Sequence, residues 1–257
     1  MKMPLLFLGH GSPMNAIEDN AWSRAWRALG QRLPHPQAIL CVSAHWETPG
    51  AWLTGSAAPD TLHDFYGFPQ ALFDVRYPAP GAPTLAERIV ALLGAEADAR
   101  IDPRRGLDHG AWAVLRPMYP QADVPIVQLG LDTRRPGEWH VRIARGLAPL
   151  REEGVLIVGS GDIVHNLRLY DFRDPRPAPW ALRFRDRTNA LIRKRDLAAL
   201  ADWRALGPDA ALSIPTPEHY LPLLYPLALA ADDEHIEFFN DEVHGSLSMT
   251  SLLIGAP

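Results

Sequence analysis

Residues Ala38–Glu47 read AILCVSAHWE. Four apolar residues, Ile39 to Val42, run into Ser43, Ala44, His45, Trp46 and Glu47. A continuous apolar run is expected of a strand covered on both faces, and this one delivers a histidine at its carboxyl end. Pro4 to Ser12, PLLFLGHGS, repeats the arrangement and ends in His10. Val155 to His165, VLIVGSGDIVH, passes through a Gly-Ser-Gly turn to His165. In open α/β sheets the ligand site lies beyond the carboxyl ends of the strands. Three histidines carried there from distant parts of the chain are expected to form one site.

Working outward, further strand-like runs are Ala51–Thr54, Phe73–Tyr77, Pro125–Leu131, Ile236–Asn240 and Met249–Ile254. Helical patterns lie between them. Asp19 to Leu33 carries Trp22, Trp26, Leu29 and Leu33 at helical spacing, and its tryptophans serve either the core or a homo-oligomer interface. Ala82 to Leu93, Glu138 to Glu152 and the charge-rich stretch Pro179 to Asp202 follow, the last read as a solvated helical face. Strands alternating with helices predict an α/β fold: one domain over residues 1–257, with a mixed sheet flanked by helices and the site at the carboxyl ends of its strands.

The bulk numbers agree with that frame. The 257 residues are 47% hydrophobic and 21% charged, ordinary values for a globular chain with a sizeable core. A net charge of −5 and the lack of a long basic run argue against nucleic acid as a partner. No apolar stretch approaches the roughly 20 residues that span a bilayer, and the first residues turn polar too soon for a signal peptide, so a cytoplasmic location and no membrane partner are expected. The single cysteine, Cys41, excludes an internal disulfide and a thiolate-rich zinc site; it reads as a buried small hydrophobe.

The chemistry rests on the ten histidines. His35, His140 and His235 read as surface residues. His10 sits in GHGSPMN, whose glycines allow tight turns and close approach of a ligand; the GxxxxGK[ST] phosphate-loop pattern is absent. His109 lies in LDHGAW, a Gly-containing loop before a helix. His219 lies in TPEHYLPLLY, where Thr216 is expected to cap a helix with Pro217 at its first position. His63 stands in the aromatic loop LHDFYGFP, and His244 precedes the last strand. Imidazole is a common ligand for zinc and for iron, although no compact HExxH signature appears.

Six motifs in order, GHGSPMN at 9–15, SAHWE at 43–47, HDFYGFP at 63–69, DHGAW at 108–112, GSGDIVHNL at 159–167 and PEHYLPLLY at 217–225, together resemble the DOPA-type extradiol ring-cleavage dioxygenases, a branch of the protocatechuate-dioxygenase-like extradiol family. The resemblance runs over nearly the whole chain. It implies a single catalytic domain holding one divalent metal, Zn(II) or Fe(II), with Fe(II) expected for ring cleavage. The matching metal positions are His10, His45, His165 and His219. In protocatechuate-type relatives the metal is held by two histidines and a glutamate, and the histidine matching His165 is an acid/base. Here His219, with Glu218 beside it, stands near the place of that glutamate, so His165 is either a ligand or the base.

The resemblance further implies His165 and His109 as catalytic residues. Tyr66, Phe65 and Trp46 are candidates for packing on a catechol ring. The substrates would be a catechol and O2, and the product a yellow muconic semialdehyde opened beside the hydroxyls. Histidine's ordinary pKa near 6.5 suits removal of a catechol proton. Two other readings stand beside it: a zinc-dependent hydrolase with a metal-activated water, and a non-enzymatic metal-binding protein on the same fold.

Overall fold

The structure, a computed structural model, describes residues 2–255. Its strands are β1 (Leu5–Gly9), β2 (Ala38–Glu47), β3 (Trp52–Thr54), β4 (Arg100–Asp102), β5 (Ile126–Leu131), β6 (Val155–Gly161), β7 (Ile236–Phe239), β8 (Val243–His244), β9 (Leu247–Ser248) and β10 (Ser251–Ile254). Eight of them form one sheet in the order β4-β3-β5-β2-β6-β1-β10-β7, and β8 and β9 make a separate hairpin. The centre is parallel: β5, β2, β6 and β1 run the same way. Antiparallel β10 and β7 close one side, and β3 pairs antiparallel to β5 on the other. The sheet is therefore mixed, as expected.

The central strands are apolar along their length because helices cover both faces. On one face the helices Ala21–Arg32 and His109–Met118 bury Trp26, Leu29, Trp112 and Leu115. On the other, Pro83–Leu93, Gly137–Arg145, Pro179–Lys194 and Leu224–Leu229 bury Ile89, Trp139, Phe184 and Tyr225. Trp26 is a core residue, Trp22 is half-buried, and Cys41 is buried within β2. Among the described residues no helix is long and apolar enough to cross a membrane.

Four expectations are corrected. Phe73–Tyr77 is not a strand: a short helix, Gln70–Phe73, precedes an irregular segment. Pro78 and Pro80, which lack an N–H for a ladder, follow it, and Tyr77 is held by its hydroxyl, which donates to Tyr119 O at 3.1 Å. The helix expected over Glu138–Glu152 divides into Gly137–Arg145 and Pro149–Glu152, interrupted at Gly146 and Pro149. Pro179–Asp202 divides where Arg195 turns left-handed (φ 56°), after which Asp196 caps Leu197–Ala201. Within its charged face, Arg183 reaches Asp209 and Arg185 reaches Asp241, so these cations tie elements together.

His140 is the fourth. It is completely buried (0% exposed), with Nδ1 3.0 Å from the Tyr225 hydroxyl and Nε2 3.2 Å from Asp132 O. The carbonyl can only accept, so Nε2 carries the proton and the tyrosine O–H donates to Nδ1. Burial lowers its pKa to about 4 against the backbone hydrogen bond that favours the cation. The unfolded chain therefore takes up this proton first. The stability that His140 contributes is complete above about pH 6.5 and is lost as pH falls towards 4, by on the order of 3 kcal/mol. Urea unfolding of the wild type and His140→Gln between pH 7 and 4 checks this: the wild type should lose stability relative to the variant across that window, and parallel curves would contradict it.

Candidate metal centre at the strand ends

The register of the parallel strands builds the site. Gly9 of β1 lies opposite Gly161 of β6, and Ser160 of β6 lies opposite Ser43 of β2. The pairings of β6 with β1 and with β2 therefore end at nearly one level, β2 itself running on to Glu47. His10 continues the ladder for one step, its N–H donating to Gly161 O at 3.1 Å. His45 sits in an irregular stretch of β2: from Val42 to Glu47 the strand advances five positions while β5 advances two. Such a bulge re-aims side chains at a sheet rim. Gly110 packs so closely on Ser43 and His45 that a Cβ has no room there.

His219 arrives by a different route from the expected helix mouth. Residues 217–220 form a turn, with Tyr220 N–H donating to Pro217 O at 3.0 Å, and the next helical segment begins only at Leu221. Thr216 does not cap a helix; its hydroxyl donates to Glu218 Oε1 at 2.8 Å. The turn is pinned to β6 by Asp162 N–H donating to His219 O at 2.8 Å. Gly161 lies against that carbonyl, where any larger residue would displace the turn.

The ring centroids of His10, His45 and His219 form a nearly equilateral triangle with sides of 5.0, 5.2 and 4.9 Å. One ligand atom from each lies within 4.8 Å of the others. His165 stands outside this triad, its ring stacked flat on His219 at 3.4 Å and 4°; it groups instead with Asp162 and His219. His109, the first residue of its helix, lies 3.8 Å from the His45 ring. The structure thus brings together all five histidines singled out at 10, 45, 109, 165 and 219.

Hydrogen bonds fix which nitrogen His10 and His219 present. Ser160 donates its one hydroxyl proton to Gly110 O at 2.5 Å, so it accepts from His10 Nδ1, 3.0 Å away. His10 Nε2 is left with a lone pair, 3.2 Å from His45 Nε2. His219 Nδ1 donates to Glu218 Oε1 at 3.0 Å, and its Nε2 is buried with no partner. Such nitrogens, oriented by an acceptor on the other side of the ring, are what a divalent ion takes. The residues present therefore fit a metal.

Around this triad, Asp64 accepts from His109 Nδ1 at 2.9 Å and from its backbone N–H at 3.0 Å. Asp108 caps the His109 helix through Ala111 N–H at 3.1 Å and receives the Ser43 hydroxyl at 2.7 Å and the Gln128 amide. Of the aromatic candidates, Phe65 stands edge-on to His109 at 5.5 Å. Tyr66 is 92% exposed beside it. Trp46 packs on Gly130 beneath the Arg105 guanidinium, 5.2 Å from its ring. His63 donates to Val75 O at 3.0 Å within an aromatic stack, and His244 pairs with the Tyr170 hydroxyl at 2.7 Å. Ser160 and Asp162 were not singled out in the sequence, although both lie inside GSGDIVHNL, where any polar residue at a strand end faces the site.

Burial, followed by the neighbouring imidazoles, holds His10 and His219 well below the ordinary histidine pKa. Burial and then His109 do the same to His45. His165 is lowered to about 4, by burial first and His109 second. Burial raises Asp64, but the hydrogen bonds from His109 outweigh it and bring the carboxyl down to about 2. His10, His45, His165 and His219 are thus neutral imidazoles, edged by the ionised carboxylate of Asp64.

The family model for the catalytic LigB subunit of aromatic ring-opening dioxygenase matches residues 4–241, which include all five histidines. The chain is 48% identical to the 4,5-DOPA dioxygenase extradiol of Escherichia coli (strain K12), over 99% of this chain and 95% of that protein. It is 36% identical to the protein of the same name from Beta vulgaris, over 94% and 92%. The crystal structure of an uncharacterized protein, JW3007, from Escherichia coli K12 superposes with a TM-score of 0.86 at 44% identity, covering 99% of this chain and 100% of that one.

The role of Ser160 is directly testable. In Ser160→Ala the His10 Nδ1–H loses its acceptor and the ring is free to turn its proton towards the centre. Affinity for a divalent ion should fall by about 10- to 100-fold, measured by competition with a chromophoric chelator, with the circular dichroism unchanged. Undiminished affinity would show that His10 is oriented by other means.

Proposed function

Because the chain belongs to the family of the catalytic LigB subunit of aromatic ring-opening dioxygenase, we propose that it is an extradiol dioxygenase that opens a catechol of the 4,5-DOPA type, beside its hydroxyls, to a muconic semialdehyde. The observation that carries this reading is the convergence of His10, His45 and His219 with His165 and His109 at their flanks. Both oxygen atoms of O2 end in the product, so no external reductant is needed. Residues 1–257 act as one catalytic domain in this reading, because the site draws on both His10 and His219.

His10, His45 and His219 would hold the metal, and Fe(II) is proposed as the active ion. When bound, it supplies a redox-active Lewis acid at which catechol and O2 react. The remaining work falls to the chain. His165 is neutral at physiological pH, with its pKa lowered to about 4, and it can accept a catechol hydroxyl proton. Its stacking on His219 holds the ring plane and limits where that proton is taken. His109 keeps Nδ1 on Asp64 and so offers Nε2 to the cleft. The Asp64 carboxylate thereby fixes the tautomer and the plane of the His109 ring, as a carboxylate does behind a catalytic histidine. Phe65, edge-on to His109, supplies an apolar wall for a planar ring.

The test is metal removal without oxygen, reloading with Fe(II) or Zn(II), and admission of O2 with a panel of catechols. A yellow product with iron and none with zinc is expected. Ester or amide turnover by the zinc form, with no colour from either, would replace the reading with a zinc hydrolase. A second outcome separates the base from the ligands. His165→Gln should retain its metal, since His165 lies outside the triad, while ring opening falls by about 10²- to 10⁴-fold. Loss of stoichiometric metal in that variant would make His165 a ligand.

A further inference from the structure

Asp162 lies just beyond β6, is buried (1% exposed), and has only one of its two oxygens hydrogen-bonded. Oδ1 accepts the N–H of Gly11 at 3.1 Å. Oδ2 is buried, has no hydrogen-bond donor, and sits 3.3 Å from His10 Nε2. The Gly110–Ser160–His10 chain has already placed the His10 proton on Nδ1. Oδ2 thus faces the His10 ring nitrogen directly, with no hydrogen-bond donor of another residue reaching it. Leaving such groups unpaired in a dry interior is costly, and a cation between them removes the cost.

The spacing is that of neighbouring ligands on one ion. Two donors each about 2.0–2.2 Å from a metal, at right to tetrahedral angles, stand about 2.8–3.6 Å apart. His10 Nε2 is 3.2 Å from His45 Nε2 and 3.3 Å from Asp162 Oδ2. Asp162 also offers a ligand atom within 4.8 Å of one on His219 and one on His165. The other nearby carboxylate, Glu218, is engaged at Oε1 by Thr216 and by His219 Nδ1, on the far side of the ring from Nε2.

We propose that Asp162 is a fourth protein ligand of the metal centre, its Oδ2 joining Nε2 of His10, His45 and His219 in the substrate-free protein. The inference rests on the metal-centre reading above. Three histidines and the two oxygens of a catechol leave a single place in an octahedral shell. If O2 needs that place, Asp162 would hold it only until substrate binds and would then give it up. The carboxylate would retain the ion between turnovers and balance part of its charge, and Gly11 N–H would keep it within reach when released.

The experiment uses Co(II) as the probe on the full chain. Wild type, Asp162→Asn and Asp162→Ala are stripped and titrated with Co(II), following the visible d–d bands and, by chelator competition, the affinity. Asparagine keeps an acceptor for Gly11 N–H, and thermal unfolding of the metal-free forms checks the fold. Affinity should fall by at least about tenfold in both variants and the substrate-free spectrum should change. The spectra of wild type and variants should converge when catechol is added without oxygen. Unchanged affinity and spectrum in variants of a wild type that binds Co(II) would overturn the assignment to Asp162 alone. A wild type that binds no Co(II), Zn(II) or Fe(II) would overturn the metal-centre reading with it. Independently of any variant, a crystal structure of the metal-loaded wild type without substrate should place Asp162 Oδ2 about 2.0–2.2 Å from the ion; an ion held by the three histidines with Asp162 beyond reach would refute the proposal.

Discussion

The parallel register of β1, β6 and β2 is the constraint on which the rest depends. Gly9 opposite Gly161 and Ser43 opposite Ser160 bring the ends of the two pairings along β6 to nearly one level. A shift of one residue in any of these pairings would turn every side chain of that strand to the other face. The apolar runs leading into the ends resist such a shift, because both faces are packed by helices and every residue from Leu5 to Leu8 and from Ile39 to Val42 is buried. Core packing thus sets the positions of His10 and His45 relative to Ser160 and Asp162. The site's precision comes from the sheet rather than from its loops.

The same burial sets the electrostatics. Five imidazoles gathered in water would titrate near their ordinary pKa. Here burial and mutual repulsion disfavour the cations of His10, His45 and His219, so the centre presents nitrogen lone pairs at neutral pH. A set of uncharged donors around a small space suits a divalent ion and leaves it strongly electrophilic. The histidines differ in what stands behind them: a serine hydroxyl behind His10, a glutamate behind His219, an aspartate behind His109. His165 has a ring face against His219 instead, so stacking sets its plane.

What could be read from the sequence follows from which features are local. An apolar run ending in a histidine is local, and so is a proline or glycine that ends a helix; β1, β2 and β6 were legible for that reason. β4 was not, since Arg100–Asp102 is a short, mostly exposed edge strand with no apolar run to mark it. His140 looked like a surface residue on a charged helix because its partners, Tyr225 and Asp132, are distant in sequence. Thr216 carried the letters of a helix cap, yet Glu218 captured its hydroxyl and the chain turned before any helix began. Trp46 and Tyr66 were candidates, with Phe65, for packing on a catechol ring because they are aromatic residues within the motifs SAHWE and HDFYGFP. A place in a motif says little about direction, and here the two side chains turn to Gly130 and to solvent. Separating His165 from the triad needed its ring plane, which depends on where the 217–220 turn docks.

The aromatic loop shows how one ionic contact can serve two functions. Asp64 lies in HDFYGFP and grips both the backbone N–H and the Nδ1–H of His109. The bond fixes the imidazole so that Nε2 is left to the cleft, and it anchors the loop that carries Phe65 to the mouth of the His109 helix. Phe65 then packs against Phe68, Phe73 and Trp112 as well as His109. The helix start is itself tied to β2 and β5 through Asp108, Ser43 and Gln128. Loop, helix and sheet therefore meet at His109, and displacement of the loop would disturb the hydrogen bond that sets that ring. An apolar wall for a planar ring and the orientation of a proton-carrying imidazole are coupled by the carboxylate of Asp64, which burial alone would have tended to neutralise.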